Sequence, residues 1–277
     1  MRAVARIVEL GAGGLPEPPS LLDDFRDLSR ADRRPDRPGG RGLVLAEGTV
    51  VVRRLLASPY PPRALLGVPR RIAELGAELD GLDVTAFVTD ADTMAGVVGF
   101  HLNRGVLASA DRAPAPDLDA VLATATRVAV LEGVNDHENL GSLFRNASAL
   151  GVDAVLLAPG CADPLYRRSV RVSMGHVLRV PFVAGPWEAL TGALRRHGYV
   201  LGALTPSGDV GPSTLADADR VALLLGAEGP GLSDEALALS DHRVRIPMVP
   251  GVDSLNVATA GAVAFHAVGS PSTAGRG

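Results

Sequence analysis

Polar residues that could do chemistry follow an apolar strand predicted to end at Glu132. A polar loop comes next, and a helix is predicted to begin near Asn139 and to carry Arg145. Ligands of parallel α/β sheets meet the loops at the carboxyl ends of the strands, so this segment could form one edge of a reaction site. Taken alone, it favours a structural interpretation in which Asn139 caps the helix and Arg145 is a solvated cation.

A second apolar strand runs into the glycine-rich turn 226–231, and a helix is predicted to start near Ser233. Glycines such as Gly226 allow positive φ and let a ligand approach the backbone closely. The turn lacks the spacing of a dinucleotide-binding loop, and a chain without lysine cannot form a P-loop. Glu228 is more informative, because a carboxylate at the end of a strand usually either faces solvent or takes part in binding or catalysis.

A third strand is predicted to end at Ile246-Pro247-Met248, before a glycine-containing loop. Ser254 then opens an apolar helix, and we expect it to be the N-cap. The helix is rich in small residues, including Gly261, so it should pack closely on another helix. His266 on this helix is interpreted as a core or interface histidine.

The elements that position these segments alternate regularly after residue 120. Nearly continuous apolar strands separated by amphipathic helices predict a parallel α/β sheet covered on both faces. Residues 1–110 predict a smaller α/β unit, in which residues 1–40 lack clear periodicity and 32–42 read as a turn-rich segment. The domain organisation predicted is therefore 1–110, a linker at 111–119 rich in Pro, Ala and Asp, and 120–270. Within the first unit, strands are expected at 42–47, 64–68, 84–88 and 104–110, and helices at 49–57 and 69–79.

Composition limits the class of protein. Hydrophobic residues make up 47% and charged residues 21%, as in an ordinary soluble globular protein, and no apolar run approaches the ~20 residues that span a bilayer. The first residues do not match a secretory signal, and a single cysteine, Cys161, favours a reducing cytoplasm. Cys161 is interpreted as incidental, and no metal is expected because His and carboxylates never cluster at ligand spacing.

The formal net charge of −4 argues against bulk electrostatic attraction to nucleic acid. Any RNA contact must therefore depend on local patches. One candidate patch contains Arg167, Arg168, Arg171 and Arg179, although a solvated charged face is an equal alternative.

Together, the three segments resemble the SpoU/TrmH branch of the SPOUT RNA methyltransferases, over about residues 125–270. The residues that carry the resemblance are Asn139, Gly141, Arg145 and Ala147 in the first segment, Gly226, Glu228 and Gly231 in the second, and Ile246–Met248 with Ser254–Val257 in the third. The front half resembles, less specifically, a small ribosomal-protein-like substrate-binding domain, through Glu47-Gly48 and 99–108.

The resemblance implies a C-terminal parallel sheet tied in a deep trefoil knot, a homodimer, and S-adenosyl-L-methionine as the cofactor. The implied reaction is methylation of a ribose 2′-hydroxyl, most naturally in 23S ribosomal RNA. Arg145 would activate the hydroxyl or position phosphate, within a frame of Asn139, Glu228, Ser254 and Asn256. The implied RNA contacts are Arg167, Arg168 and Arg171. The residues implied to hold the cofactor are Leu204, Thr205, Gly226, Ile246, Met248 and Leu255.

Other functions remain open on the sequence. The same chemistry could act on transfer RNA or give resistance to a ribosome-targeting antibiotic, or the fold could serve a non-catalytic RNA-binding or ribosome-assembly factor. A doubly wound oxidoreductase is disfavoured, because the loop at 132–138 contains only one glycine.

Overall fold

A computed structural model of the protein describes residues 5–11, 20–28 and 42–269. Contacts divide them into two compact units. The first contains the described residues up to Pro114 together with Leu165–Arg179, and the second contains Ala115–Pro164 and the chain from Val180 onward. None of the described helices is long and apolar enough to cross a membrane.

The strands and helices alternate along the chain. The strands are β1 (Arg6–Glu9), β2 (Val44–Glu47), β3 (Pro62–Gly67), β4 (Thr85–Val88), β5 (Val106–Ala110), β6 (Arg127–Leu131), β7 (Ala154–Leu157), β8 (Phe182–Ala184), β9 (Val200–Leu204), β10 (Val221–Leu225) and β11 (His242–Val244). The α-helices are α1 (Thr49–Leu56), α2 (Pro69–Ala73), α3 (Gly76–Leu79), α4 (Ala91–Val98), α5 (Leu118–Thr124), α6 (His137–Ala149), α7 (Arg167–Val172), α8 (Trp187–Arg196), α9 (Asp234–Leu239) and α10 (Val257–Val268). Short 3-10 helices cover Leu21–Phe25, His176–Leu178 and Pro212–Leu215.

Among the described residues, the first unit carries a five-stranded sheet in the order β1-β4-β3-β5-β2. β1, β4 and β3 are parallel, and β5 is antiparallel to both of its neighbours. Apolar side chains such as Leu22, Phe25, Phe87 and Met94 form its core. The predicted small α/β unit is therefore present.

Two expectations for the first unit need correction. The helix predicted over 69–79 is two helices, because Leu75 turns into the core and Gly76, a poor helix former, follows it. Part of the segment 1–40 is regular: β1 pairs with β4 at the edge of the sheet, and a 3-10 helix covers Leu21–Phe25, of which the last four residues are buried. The turn-rich segment predicted at 32–42 lies outside the described residues, apart from its last position.

Leu165–Arg179 was predicted to belong to the 120–270 domain, and the structure corrects this. Within the first unit, α7 packs against β2. Gly175, at φ 81°, lies against Val51 and Arg54, and the Arg54 guanidinium donates to the carbonyl of Met174. Local periodicity could not reveal this placement, because it depends on contacts with residues more than a hundred positions away.

The described part of the second unit contains a six-stranded sheet in the order β11-β9-β10-β6-β7-β8, and every pair of neighbours is parallel. The predicted parallel α/β sheet is confirmed. Two strands are shorter than predicted. The apolar run 177–183 predicts one strand, but Val177 and Leu178 lie in a 3-10 helix and β8 begins only after Pro181. β11 ends at Val244, because the amide of Arg245 already bonds to the carbonyl of Val210 in a loop.

The small face of α10 packs on α6, as the sequence predicts. A Cβ added at Gly261 would lie 2.6 Å from the Leu143 side chain and 3.1 Å from that of Leu225, so any larger residue would require the Leu143 side chain to shift. The amide of Asn146 donates to the carbonyl of Ala258 at 2.9 Å and fixes the first turn of α10. His266 is exposed in this chain and is not a core residue.

Candidate functional site

A cavity of about 730 Å³ opens at the carboxyl ends of β9, β10 and β11 in the second unit. This is the edge at which ligands of parallel sheets bind. The sequence-predicted site residues that line it together are Leu204, Thr205, Gly226, Glu228, Ile246, Met248, Ser254, Leu255 and Asn256. Residues from three separate segments therefore meet around one space.

The turn 226–231 forms one wall of this cavity and is folded tightly on itself. A Cβ at Gly226 would lie 2.1 Å from the carbonyl carbon of Gly231, a distance that no side chain tolerates. Gly229 and Gly231 have φ values of 89° and 73°, which L residues rarely adopt. The glycines are thus required by the backbone path, and they bring main chain rather than side chains to the cavity wall.

The side-chain amide of Asn256 joins the three segments that carry the family resemblance. Its Nδ2 donates to Asn139 Oδ1 at 2.7 Å and to Glu228 Oε1 at 2.6 Å. Its Oδ1 accepts from the backbone amides of Ala258 at 3.0 Å and Thr259 at 3.2 Å, which makes Asn256 the N-cap of α10. The N-cap predicted at Ser254 is therefore wrong, because the chain turns into the helix two residues later.

Asn139 does not cap α6 either. Asp136 is the N-cap, and its carboxylate accepts from the amides of Glu138 and Asn139 at 2.8 Å each. The Asn139 side chain is thereby available to Asn256. Arg145, six residues further along α6, is exposed and lines neither this cavity nor the neighbouring one described next. The structure thus brings Asn139, Glu228 and Asn256 together without Arg145.

A smaller cavity of about 360 Å³ lies beside the first. The two share the wall formed by Ala227, Glu228, Pro230 and Val257. The remaining lining of the smaller cavity comes from the loop and first turn of α6, at Gly133, Val134, Asn135, Asp136 and Asn139, and from Gly160.

Glu132, which the sequence marks only as a strand end, holds the glycine-rich turn in place. Its carboxylate accepts from the indole Nε1 of Trp187 at 2.7 Å, and from the backbone amide and hydroxyl of Ser233 at 2.8 Å each. Ser233 is the N-cap of α9, directly after the turn. The available signal was a carboxylate at the end of an apolar strand, the same signal that singled out Glu228.

Comparison with known proteins decides the family. A profile described as the SpoU rRNA Methylase family matches residues 126–266. The chain belongs to the SpoU rRNA methylase family. An uncharacterized tRNA/rRNA methyltransferase of Mycobacterium tuberculosis is 58% identical to this SpoU methylase over 250 residues, which cover 88% of this chain and 87% of the relative.

Two further relatives of this SpoU methylase have more specific descriptions. The 23S rRNA (adenosine(1067)-2′-O)-methyltransferase of Streptomyces azureus is 36% identical over 141 residues, about half of each chain. The SpoU methyltransferase AviRb of Streptomyces viridochromogenes, solved in complex with the cofactor AdoMet, is 26% identical with a TM-score of 0.70, over 82% of this chain and 89% of that one. The family predicted from the sequence is confirmed, and so is the enzyme class of RNA methyltransferase.

The predicted RNA-contacting arginines of this SpoU methylase lie in its first unit and differ in environment. Arg167 donates to the carbonyl of Leu28 at 3.1 Å and stacks over the ring of Phe100, 5.0 Å from its centroid. Burial lowers the pKa of the Arg167 guanidinium, which the nearby Glu47 opposes only in part. Arg168 and Arg171 are exposed on α7. The structure therefore separates a packed Arg167 from two solvent-facing arginines.

Cys161 is a half-buried thiol that donates to the carbonyl of Leu131 at 3.1 Å. Burial raises its pKa to about 11, so the thiol is protonated at neutral pH and is a poor nucleophile. Within the described ranges, no group of His, Cys, Asp and Glu is arranged to hold a metal ion.

Proposed function

We propose that this SpoU methylase transfers a methyl group from S-adenosyl-L-methionine to a ribose 2′-hydroxyl of 23S ribosomal RNA. The observation that carries the proposal is the cavity at the ends of β9, β10 and β11, into which all six residues implied to hold the cofactor converge. S-adenosyl-L-methionine as the cofactor is confirmed by the family and by the related AdoMet complex. Transfer RNA is the alternative substrate.

The cavity suits this cofactor in size and chemistry. Its volume of about 730 Å³ falls within the ~300–1,000 Å³ typical of small-molecule sites. Leu204, Ile246, Met248 and Leu255 provide an apolar lining for the adenine and the thioether arm, and the backbone of the turn 226–231 provides polar groups. When bound, S-adenosyl-L-methionine supplies a methyl group on a sulfonium that leaves as a neutral thioether, so no general acid is required.

The residues of this chain must then orient the ribose and handle the proton of its hydroxyl. The bridge from Asn256 to Asn139 and Glu228 holds three loops in register beside the cavity, which fixes the position of the reacting groups. Ser254 lines the same wall and would hydrogen-bond the ribose. We propose Arg145 for the phosphate and for the developing alkoxide, because a guanidinium is a poor base but a strong anion-binding group.

Arg145 lines neither cavity of its own chain, so we propose that it serves the site of a second copy of the chain. We therefore include a homodimer in the proposal. Its support is the exposed apolar surface of the second unit, where Val249, Val252, Leu255 and Val263 are each at least 37% exposed. Contiguous exposed apolar patches mark interaction sites, and three of these residues lie close together in the loop 249–255.

A deep trefoil knot in the second unit and RNA binding by the first are further parts of the proposal. The loop after β9 passes so close to β11 that a Cβ at Gly208 would lie 2.6 Å from the carbonyl oxygen of Arg243. Such backbone-on-backbone passages fit a threaded chain. Arg168 and Arg171 are exposed in the first unit, where their positive charge could bind RNA phosphates. We also propose a cytoplasmic location, which is where an RNA substrate is found.

The experiment is methylation of rRNA and tRNA from a strain that lacks this enzyme, with labelled S-adenosyl-L-methionine and mapping of the product. We expect label at one ribose of 23S rRNA. Label on a base, or on tRNA alone, contradicts the proposal.

The role of Arg145 is tested by Arg145→Ala beside Arg243→Ala, an exposed arginine of the same unit that lines neither cavity. Arg145→Ala should abolish turnover and leave cofactor affinity unchanged. Arg243→Ala should have the turnover and the cofactor affinity of the wild type. Mixing Arg145→Ala protein with Asn256→Ala protein should restore part of the activity if the two residues act across a dimer. Failure to recover any activity in the mixed dimer would refute that arrangement.

A further inference from the structure

None of the six residues implied to hold the cofactor lines the smaller cavity. Its position beside the larger cavity suggests a separate role. Its wall at Glu228 is also a wall of the larger cavity, so a ligand in one space would lie directly beside a ligand in the other. Methyl transfer needs this relationship, because donor and acceptor atoms must meet in line at a common boundary.

The floor of the smaller cavity is rigid backbone. The amide of Gly133 donates to the carbonyl of Pro159 at 3.0 Å, and the amide of Ala162 donates to that of Val134 at 2.9 Å. A Cβ at Gly160 would lie 3.1 Å from the Cα of Gly133, and both glycines have positive φ. Main-chain contacts thus tie together the two loops that line this side of the cavity.

The polar residues of the cavity differ in how far they are already engaged. Asp136 is occupied as the N-cap of α6, and Asn139 accepts from Asn256. Asn135 is exposed, and among the described residues nothing hydrogen-bonds its side chain. A carboxamide has both donors and an acceptor, so it can pair with the edge of a nucleobase.

We propose that the smaller cavity receives the acceptor nucleoside, turned out of its RNA stack, and that Asn135 hydrogen-bonds its base. The inference rests on the proposed function and adds to it a substrate subsite and a specificity residue. With a volume of about 360 Å³, the cavity can enclose one nucleoside but not a base pair, so the target is an unpaired or flipped nucleotide. The ribose then lies towards Glu228. Its 2′-oxygen forms a bond to the methyl carbon while the carbon–sulfur bond breaks and its electrons pass to sulfur. The hydroxyl proton leaves to solvent.

The test is a pair of substitutions at Asn135 with a matched control. Asn135→Trp fills the cavity, and Asn135→Ala removes the amide while keeping the space. Ser213→Trp places the same bulk on an exposed residue of the second unit that lines neither cavity. Each protein is assayed for S-adenosyl-L-methionine affinity by calorimetry and for kcat and KM with rRNA from a strain lacking the enzyme.

We expect Asn135→Trp to lower kcat/KM for rRNA by about a hundredfold and Asn135→Ala by about tenfold, because the contact with the base is lost. Cofactor affinity should stay within about twofold of wild type. Ser213→Trp should match wild type. Wild-type kcat/KM in Asn135→Trp overturns the inference, and so does an equal loss of cofactor affinity. The proposed function fails separately, if the unmodified enzyme methylates no ribose.

Discussion

Asn256 donates to Glu228 at 2.6 Å although 28 residues separate them, and the same amide group also reaches Asn139. One side chain thus both starts α10 and ties the loop after β10 to α6. Capping and site geometry are thereby coupled in a single residue, so a change at Asn256 should affect stability and activity together.

Substitutions at Asn256 can separate these two effects. Asn256→Ala should lower the free energy of unfolding by about 1 kcal/mol through loss of the cap, and should also lose activity. Asn256→Asp keeps an acceptor for the amides of Ala258 and Thr259 but places a carboxylate against Glu228. We expect near-normal capping with loss of methyl transfer, measured by urea unfolding and by turnover with rRNA. If Asn256→Asp is fully active, the bridge does not organise the site.

Glu132 offers a test of how the glycine-rich turn is held. Glu132→Gln keeps one acceptor oxygen for Trp187 and Ser233 but turns the other into an NH2 group that cannot accept, and hydrogen bonds to a charged group are worth about 1.5–3 kcal/mol. Cofactor affinity should fall about tenfold while RNA affinity is kept, as measured by calorimetry and filter binding. Glu188→Gln, an exposed glutamate on α8, is the control. Equal cofactor affinities for the two variants would exclude a positioning role for Glu132.

The arginines of α7 should separate into two classes. Arg168→Ala combined with Arg171→Ala should weaken RNA binding and flatten its dependence on salt, because each phosphate contact releases counterions. Arg167→Ala should instead destabilise the first unit, since it removes the contacts with Leu28 and Phe100. RNA affinity across a salt titration and thermal unfolding are the two measurements. A salt dependence unchanged by the double substitution would remove α7 from the RNA-binding surface.

The thiol of Cys161 should react slowly in the folded protein. With its pKa raised to about 11, only about one thiol in a thousand is ionised at pH 8, whereas an ordinary cysteine is substantially ionised there. Alkylation by iodoacetamide should therefore be about two orders of magnitude slower than in the denatured chain, and should accelerate up to pH 11. Since the chain has one cysteine, mass spectrometry reports this rate directly. Equal rates in the folded and denatured chain would show that burial does not protect the thiol.

Much of the second unit follows from local patterns. The apolar runs at β6, β7, β9 and β10 predict strands, because a strand buried on both faces has no polar positions to interrupt the run. Local signals misplace the ends of elements. Ser254 has the residue type of an N-cap, yet Asn256 holds that position, because its amide also has partners across the fold.

The sequence by itself determined the chemistry available to this protein: a glycine-rich turn at a strand end, a carboxylate at Glu228, and the amides of Asn139 and Asn256. Only the tertiary structure decided which of these meet, that Arg145 lines neither cavity of its own chain, and that Leu165–Arg179 belongs to the first unit. Residue type and spacing are local properties of the chain. A hydrogen bond between segments depends instead on how whole sheets and helices pack, which no local pattern encodes.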